Sequence, residues 1–126
     1  MISIECLMVG DYFIAERYYG QILKVFEIKS YGAIRAETLN GGLVGPFFDS
    51  DIKPVYLTDE ILEKNFPEPD ILAWWPTGKD GCYHIEITKD DKEDELGSTE
   101  VIIRLKYLHE LQHLLRICGI DKKIQL

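Results

Sequence analysis

Glycine or asparagine stands at the reversals of the first 56 residues, and that spacing leaves room only for short strands. Gly10-Asp11 precedes Tyr12 to Ala15, and Tyr19-Gly20 precedes Gln21 to Ile28. Ser30-Tyr31-Gly32 precedes Ala33 to Leu39, and Asn40-Gly41-Gly42 leads into Leu43 to Phe48. Short apolar runs joined by residues that accept turn conformations predict antiparallel hairpins. The dense Tyr and Phe content suits a sheet. Residues 1–56 are therefore expected to curl into a small barrel or half-barrel of SH3-like kind, with Pro54 closing the segment.

The next segment, 57–66, reads as a short helix. Thr58 can cap its free N–H groups, and Asp59 and Glu60 lie where the helix dipole favours negative charge. Leu57, Ile61 and Leu62 form a narrow apolar stripe, and Pro67 and Pro69 end the helix. It is expected to plug an open end of the sheet. Three further strands follow within 70–106: Ile71 to Trp75, Cys82 to Thr88 and Glu100 to Lys106. In the second, Tyr83, Ile85 and Ile87 share one face and Cys82, His84 and Glu86 the other. In the third, Val101, Ile103 and Leu105 alternate with Ile102 and Arg104. Between these two, the run Asp90 to Glu95 carries five acids and one Lys, and reads as a solvated loop.

The last helix spans 107–118, with Gly119 where a left-handed C-terminal cap belongs. Tyr107, Leu108, Leu111, Leu114, Leu115 and Cys118 gather on one side of it. His109, Gln112, His113 and Arg116 lie on the other, expected to face solvent. Ile120 to Leu126 either adds an edge strand or trails as a tail. The fold class is α+β: a curled, mainly antiparallel sheet with one short helix and a longer C-terminal helix. At 126 residues the chain fits a single domain, 1–126.

Charge and cysteine usage narrow the functional classes. There are 14 Lys and Arg against 22 Asp and Glu, a net charge of −8, which argues against non-specific nucleic-acid binding. No apolar run approaches the roughly 20 residues that span a bilayer. Met1 to Cys6 has no basic residue and includes Glu5, so a secretory signal is not expected. Cys6, Cys82 and Cys118 are odd in number and form no CxxC unit, which points to buried thiols in a reducing cytoplasm.

One motif carries chemistry on its face. His109-Glu110-Leu111-Gln112-His113 is a literal HExxH, in which histidines at i and i+4 on a helix bind zinc and the glutamate polarises the metal-bound water. The surroundings argue against it. The extended form of the motif requires Gly where Arg116 stands and His where Gly119 stands, and Asp121 is the only acid after His113. A third ligand has to come from upstream, with His84 or Glu86 the best placed. The preferred reading has no metal and no cofactor. The alternative is a minimal zinc hydrolase with His109, His113 and His84 as ligands and Glu110 as base.

Lys106 to Leu114, followed by Gly119, resembles the C-terminal "KYVHQLQNLYFALTG" segment of a family of small uncharacterised proteins from gut Bacteroidales genomes, their phages and mobile elements. Leu57 to Phe66 is similar to that family's "LTEEILLKNGF", and Val9-Gly10-Asp11-Tyr12-Phe13 to its "hxxGNYV" start. In the family pattern the position of Glu110 is usually Gln and that of His113 usually Asn, so the resemblance implies that HExxH is not a shared feature. It supplies no assigned activity. It implies a protein of phage or mobile-element type, acting in counter-defence by sequestering a host protein or a small anionic ligand.

Other residues qualify as ligand contacts. Trp74-Trp75-Pro76 with Tyr83 can form an aromatic platform for a flat ligand. Arg17-Tyr18-Tyr19 lies at a hairpin tip, and Arg35 and Arg104 lie on strands; Arg beside aromatics can grip an anionic, ring-containing ligand such as a nucleotide. The candidate ligand residues are Arg17, Tyr19, Arg35, Trp74, Trp75 and Arg104. The plainer reading of each is a surface charge or a sheet aromatic. No Gly-rich phosphate loop and no Ser nucleophile elbow is present, and Cys82 with His84 lacks an orienting acid. The expected function is non-enzymatic binding, with self-association favoured by uncovered apolar surface.

Overall fold

The computed structural model describes residues 6–67, 72–78, 81–90 and 98–126, with the backbone alone at 88–90 and 98–101. The acidic run expected as a loop falls outside these residues from 91 to 95, as do Met1 to Glu5 and Ile71.

The architecture is α+β, with two antiparallel sheets and two helices. The first sheet holds β1 (Tyr12–Ala15), β2 (Gln21–Ile28), β3 (Ile34–Glu37), β4 (Leu43–Phe47) and β5 (Ile52–Pro54) in the order β4-β3-β2-β1-β5. The second holds β6 (Leu72–Pro76), β7 (Tyr83–Asp90) and β8 (Ser98–Leu105) in that order. The helices are α1 (Asp59–Asn65) and α2 (Leu108–Ile117).

Hairpins arise where the turn residues stand. Tyr19 and Gly20 both adopt positive φ between β1 and β2, and Gly32 does so before β3. The register slips between Val25 and Glu27 and again between Ile34 and Ala36, and irregularities of that kind bend a sheet. The five-stranded sheet is open rather than closed into a barrel, because β4 and β5 remain its two edges. β5 is an element that the sequence does not announce. It is three residues long, too short to display alternation, and it pairs with β1 with Ile52 opposite Ala15 and Pro54 opposite Phe13.

Alternation along β1 divides the interior in two. Phe13 and Ala15 join Leu23, Val25, Phe47 and Ile52 in one apolar cluster, where the Phe13 and Phe47 rings meet edge-on at 5.7 Å. Tyr12 and Ile14 face the other way, onto a second cluster built from Leu62, Leu72, Ile85, Leu108, Leu111 and Leu115. Leu62 of α1 belongs to this second cluster and not to the first. The short helix thus packs between the sheets and does not plug the curled one. Leu57 N–H donates to Lys106 O at 3.0 Å and Leu108 N–H to Val55 O at 2.8 Å, which ties the entrance of α1 to that of α2.

The segment after α2 is a docked tail, not a strand. Asn65 holds it with both ends of its amide: Nδ2 donates to Gln125 O at 2.8 Å, and Oδ1 accepts from Gln125 N at 2.6 Å. Tyr12 Oη donates to Ile124 O at 3.0 Å, and Ile124 is buried. No helix among the described residues is long and apolar enough to cross a membrane.

Candidate functional site

The HExxH residues lie on α2, whose two ends are both capped. Tyr107 is the N-cap, and the Glu110 carboxylate turns back to accept from Tyr107 N at 2.9 Å and Lys106 N at 3.2 Å. A glutamate at the third helical position commonly satisfies free backbone donors this way. At the other end Gly119 adopts φ 71°, Ile120 N donates to Leu115 O at 2.8 Å and Gly119 N to Arg116 O at 3.1 Å. That pair of bonds closes the helix in a Schellman motif.

The helical wheel puts the polar face of α2 in solvent, and the structure keeps only Arg116 exposed there: His109 and Gln112 are buried, His113 is half-buried, and the face packs on the turn that enters β1. Gln112 is buried and bridges that turn, its Nε2 donating to Gly10 O at 2.9 Å and its Oε1 accepting from Tyr12 N at 3.1 Å. Asp11 lies between these two residues with 0% exposure. Its Oδ1 accepts from Arg116 Nη1 at 2.7 Å, while its Oδ2 accepts from Met8 N at 2.8 Å and meets His113 Nε2. A buried carboxylate is tolerated when its lone pairs are filled by cations and N–H groups, and here both oxygens are filled. Arg116 also donates to Val9 O at 3.2 Å. Wheel reasoning misplaces this face because it sorts side chains by type, whereas these polar groups have specific partners about a hundred residues earlier.

His109 and His113 do come together, with ring centroids 5.8 Å apart and nearly perpendicular planes. His109 is only 6% exposed, lies flat against Tyr107 at 5.7 Å, and its Nδ1 has no partner among the described residues. Burial pushes its pKa down; the charges of Glu110 and Asp11 oppose that, and His113 adds to it. His84, the upstream candidate ligand, sits elsewhere, on β7 and stacked on Trp75 at 5.5 Å. Among the described residues no group of three or more His, Cys, Asp or Glu is placed to hold a metal ion. Within this geometry Glu110 caps the helix and His113 contacts the buried Asp11 carboxylate.

The six candidate ligand residues divide into three places. On the five-stranded sheet, Arg17 donates to Pro46 O at 2.7 Å and lies over the Phe47 ring, Tyr19 is 91% exposed in the β1–β2 turn, and Arg35 approaches Glu27 at 3.7 Å. The hydrogen bond from Lys29 keeps the Glu27 carboxyl below its usual range. Trp74 turns inward, donating from Nε1 to Phe66 O at 3.3 Å and meeting Tyr83 edge-on at 6.0 Å. Tyr83 is buried and donates to Asp59 Oδ1 at 2.6 Å; burial and that bond push its pKa up to about 12. The expected platform of Trp74, Trp75 and Tyr83 is therefore split across the two faces of the sheet.

Trp75 and Arg104 are the candidates that the fold brings together. Trp75 pairs with His84 across β6 and β7, and His84 with Arg104 across β7 and β8. The three residues form one transverse row on the outer face, spanning about 10 Å at the usual strand spacing. Trp75 is 41% exposed, Arg104 is exposed, and Ile102, two residues from Arg104 on the same face, is 61% exposed. Concave sites lie elsewhere. One cleft of about 220 Å³ is lined by Tyr12, Lys24, Gln112, Lys122 and Lys123, a basic rim that sequence reading does not single out. The adjacent Lys122-Lys123 was the available signal. Two further clefts adjoin Ile61 and Leu126, and Phe66 and Trp74. No family model matches the chain, and no curated protein and no solved structure matches it either.

Proposed function

We propose that the chain is a non-enzymatic binding protein of the cytoplasm whose working surface is the outer face of the three-stranded sheet. The observation that carries this is the transverse row Trp75–His84–Arg104, exposed at both ends and half-buried at His84. Trp and Arg are enriched among the residues that supply most of the energy in protein interfaces. Small ligands are mostly taken up in concave pockets, and this row lies on an open sheet face. A protein partner is therefore favoured over a small anionic ligand, and no cofactor takes part. The resemblance to phage and mobile-element proteins makes that partner a host protein and its sequestration the function. This reading is preferred to a zinc hydrolase because the Glu110 carboxylate is held at the α2 cap.

The test compares proteins retained from host extract by immobilised wild type, by Trp75→Ala/His84→Ala and by Arg17→Ala. A protein held by wild type and Arg17→Ala but lost from the double variant is the expected result. Identical retention by all three removes the outer face from the function. One zinc per chain after purification without chelator, lost in His109→Ala, would restore the hydrolase.

A further inference from the structure

The two sheets have four edge strands, and three of them carry proline: Pro46 in β4, Pro54 in β5 and Pro76 in β6. Proline and shortness are the usual means of preventing an edge from pairing with another chain. The fourth edge, β8, has neither protection. It runs eight residues from Ser98 to Leu105 without proline, and among the described residues no strand pairs with its outer side. Ile102 is 61% exposed there, and Ile103 is exposed although it lies on the inward-facing parity.

We propose that β8 pairs antiparallel with β8 of a second copy of this chain, making one continuous six-stranded sheet. The register follows from the sequence. A two-fold axis normal to the sheet keeps outer residues outer, so opposed positions must share parity and the axis must pass through a residue. Beyond Leu105 the backbone is engaged, since Lys106 O and Leu108 N bond Leu57 and Val55, which confines the pairing to 98–105. An axis at position 101 opposes 100 with 102, an acid with an isoleucine. An axis at 103 runs the pairing into the engaged segment and opposes 102 with 104. An axis at 102 opposes 100 with 104, acid with base, twice by symmetry, and sets 102 against 102 and 101 against 103, apolar against apolar. Opposite charges and β-branched pairs directly across a ladder stabilise it, and like charges destabilise it. The second copy is thus the occupant that matches this edge in both charge and apolar pattern. The pairing is argued from the open edge and not from the binding reading, although Arg104 belongs to both; Trp75 and His84, the residues changed in the binding test, lie on β6 and β7.

Sedimentation equilibrium and native mass spectrometry of the full chain test it. Wild type is expected at twice the 14.6 kDa chain mass. Arg104→Glu opposes acid with acid at both symmetric sites, Glu100→Arg opposes base with base, and each weakens the dimer by about thirtyfold. An equimolar mixture of the two variants restores opposite charges at both sites, so it is expected to give a dimer of mixed mass at wild-type affinity. That recovery also shows that both variants fold. A monomeric wild type, an assembly larger than a dimer, single variants as tightly dimeric as wild type, or a mixture that fails to recover would each overturn the proposal.

Discussion

Asp11 has no exposed surface, and the helix that supplies its counter-charges is the one that carries the HExxH spacing. Its neighbours Gly10 and Tyr12 are held by Gln112, so polar contacts at three consecutive residues fix α2 on the turn that enters β1. Arg116→Leu removes the guanidinium partner of Asp11 and leaves a buried carboxylate under-compensated. The expected loss is about 3 kcal/mol in denaturant unfolding. His109 contributes a pH dependence. Its pKa is ordinary, 6.5, in the unfolded chain and depressed by burial in the folded one. The folded state therefore binds fewer protons, and stability that is full above pH 6.5 falls as the pH drops from there toward the folded value. In His109→Phe that part of the acid slope is expected to vanish from unfolding curves taken across pH 4–8.

At the scale of elements, Glu110 offers a direct separation of cap from catalyst. A Gln side chain presents the same acceptor oxygen to Tyr107 N and Lys106 N, so Glu110→Gln is expected to change stability by less than about 0.5 kcal/mol, whereas Glu110→Ala costs about 1 kcal/mol. Thermal melts of the two variants check this. Equal losses in both would deny the cap. The same element shows where sequence reading stops. The hairpins of β1 to β4 were legible because each turn needs its own Gly or Asn, and the inward and outward sets of β7 follow from strict alternation. The extent of α2 and its Gly119 cap were legible for similar local reasons. The burial of Asp11, His109 and Gln112 was not, since nothing near Asp11 in sequence reveals a partner beyond position 110. β5 was missed because three residues make no period. In the candidate site, Trp75 and Arg104 were visible as residue types, but only strand register places them in one row and sends Trp74 to the other face.

Across the whole molecule, the C-terminal tail joins elements far apart in sequence, and its Ile124 lies in the second apolar cluster. The tail is fastened by Asn65 to α1 and by Tyr12 to β1. Asn65→Ala removes both bonds to Gln125, and hydrogen exchange is expected to show its amide losing protection, with global stability falling by about 1–2 kcal/mol. Protection unchanged in that variant would mean that Ile124 alone anchors the segment. The two tryptophans have a consequence of another kind. They are adjacent in sequence but face opposite sides, Trp74 packed edge-on against Tyr83 and Trp75 exposed beside His84. The chain thus carries two intrinsic fluorophores with separate tasks. Acrylamide reaches Trp75 in the native state, so quenching of a Trp74→Phe variant follows occupation of the outer face. A Trp75→Phe variant emits from the partly buried Trp74 and follows unfolding, so two single-tryptophan variants divide the reports of surface occupation and of integrity between them without any added label.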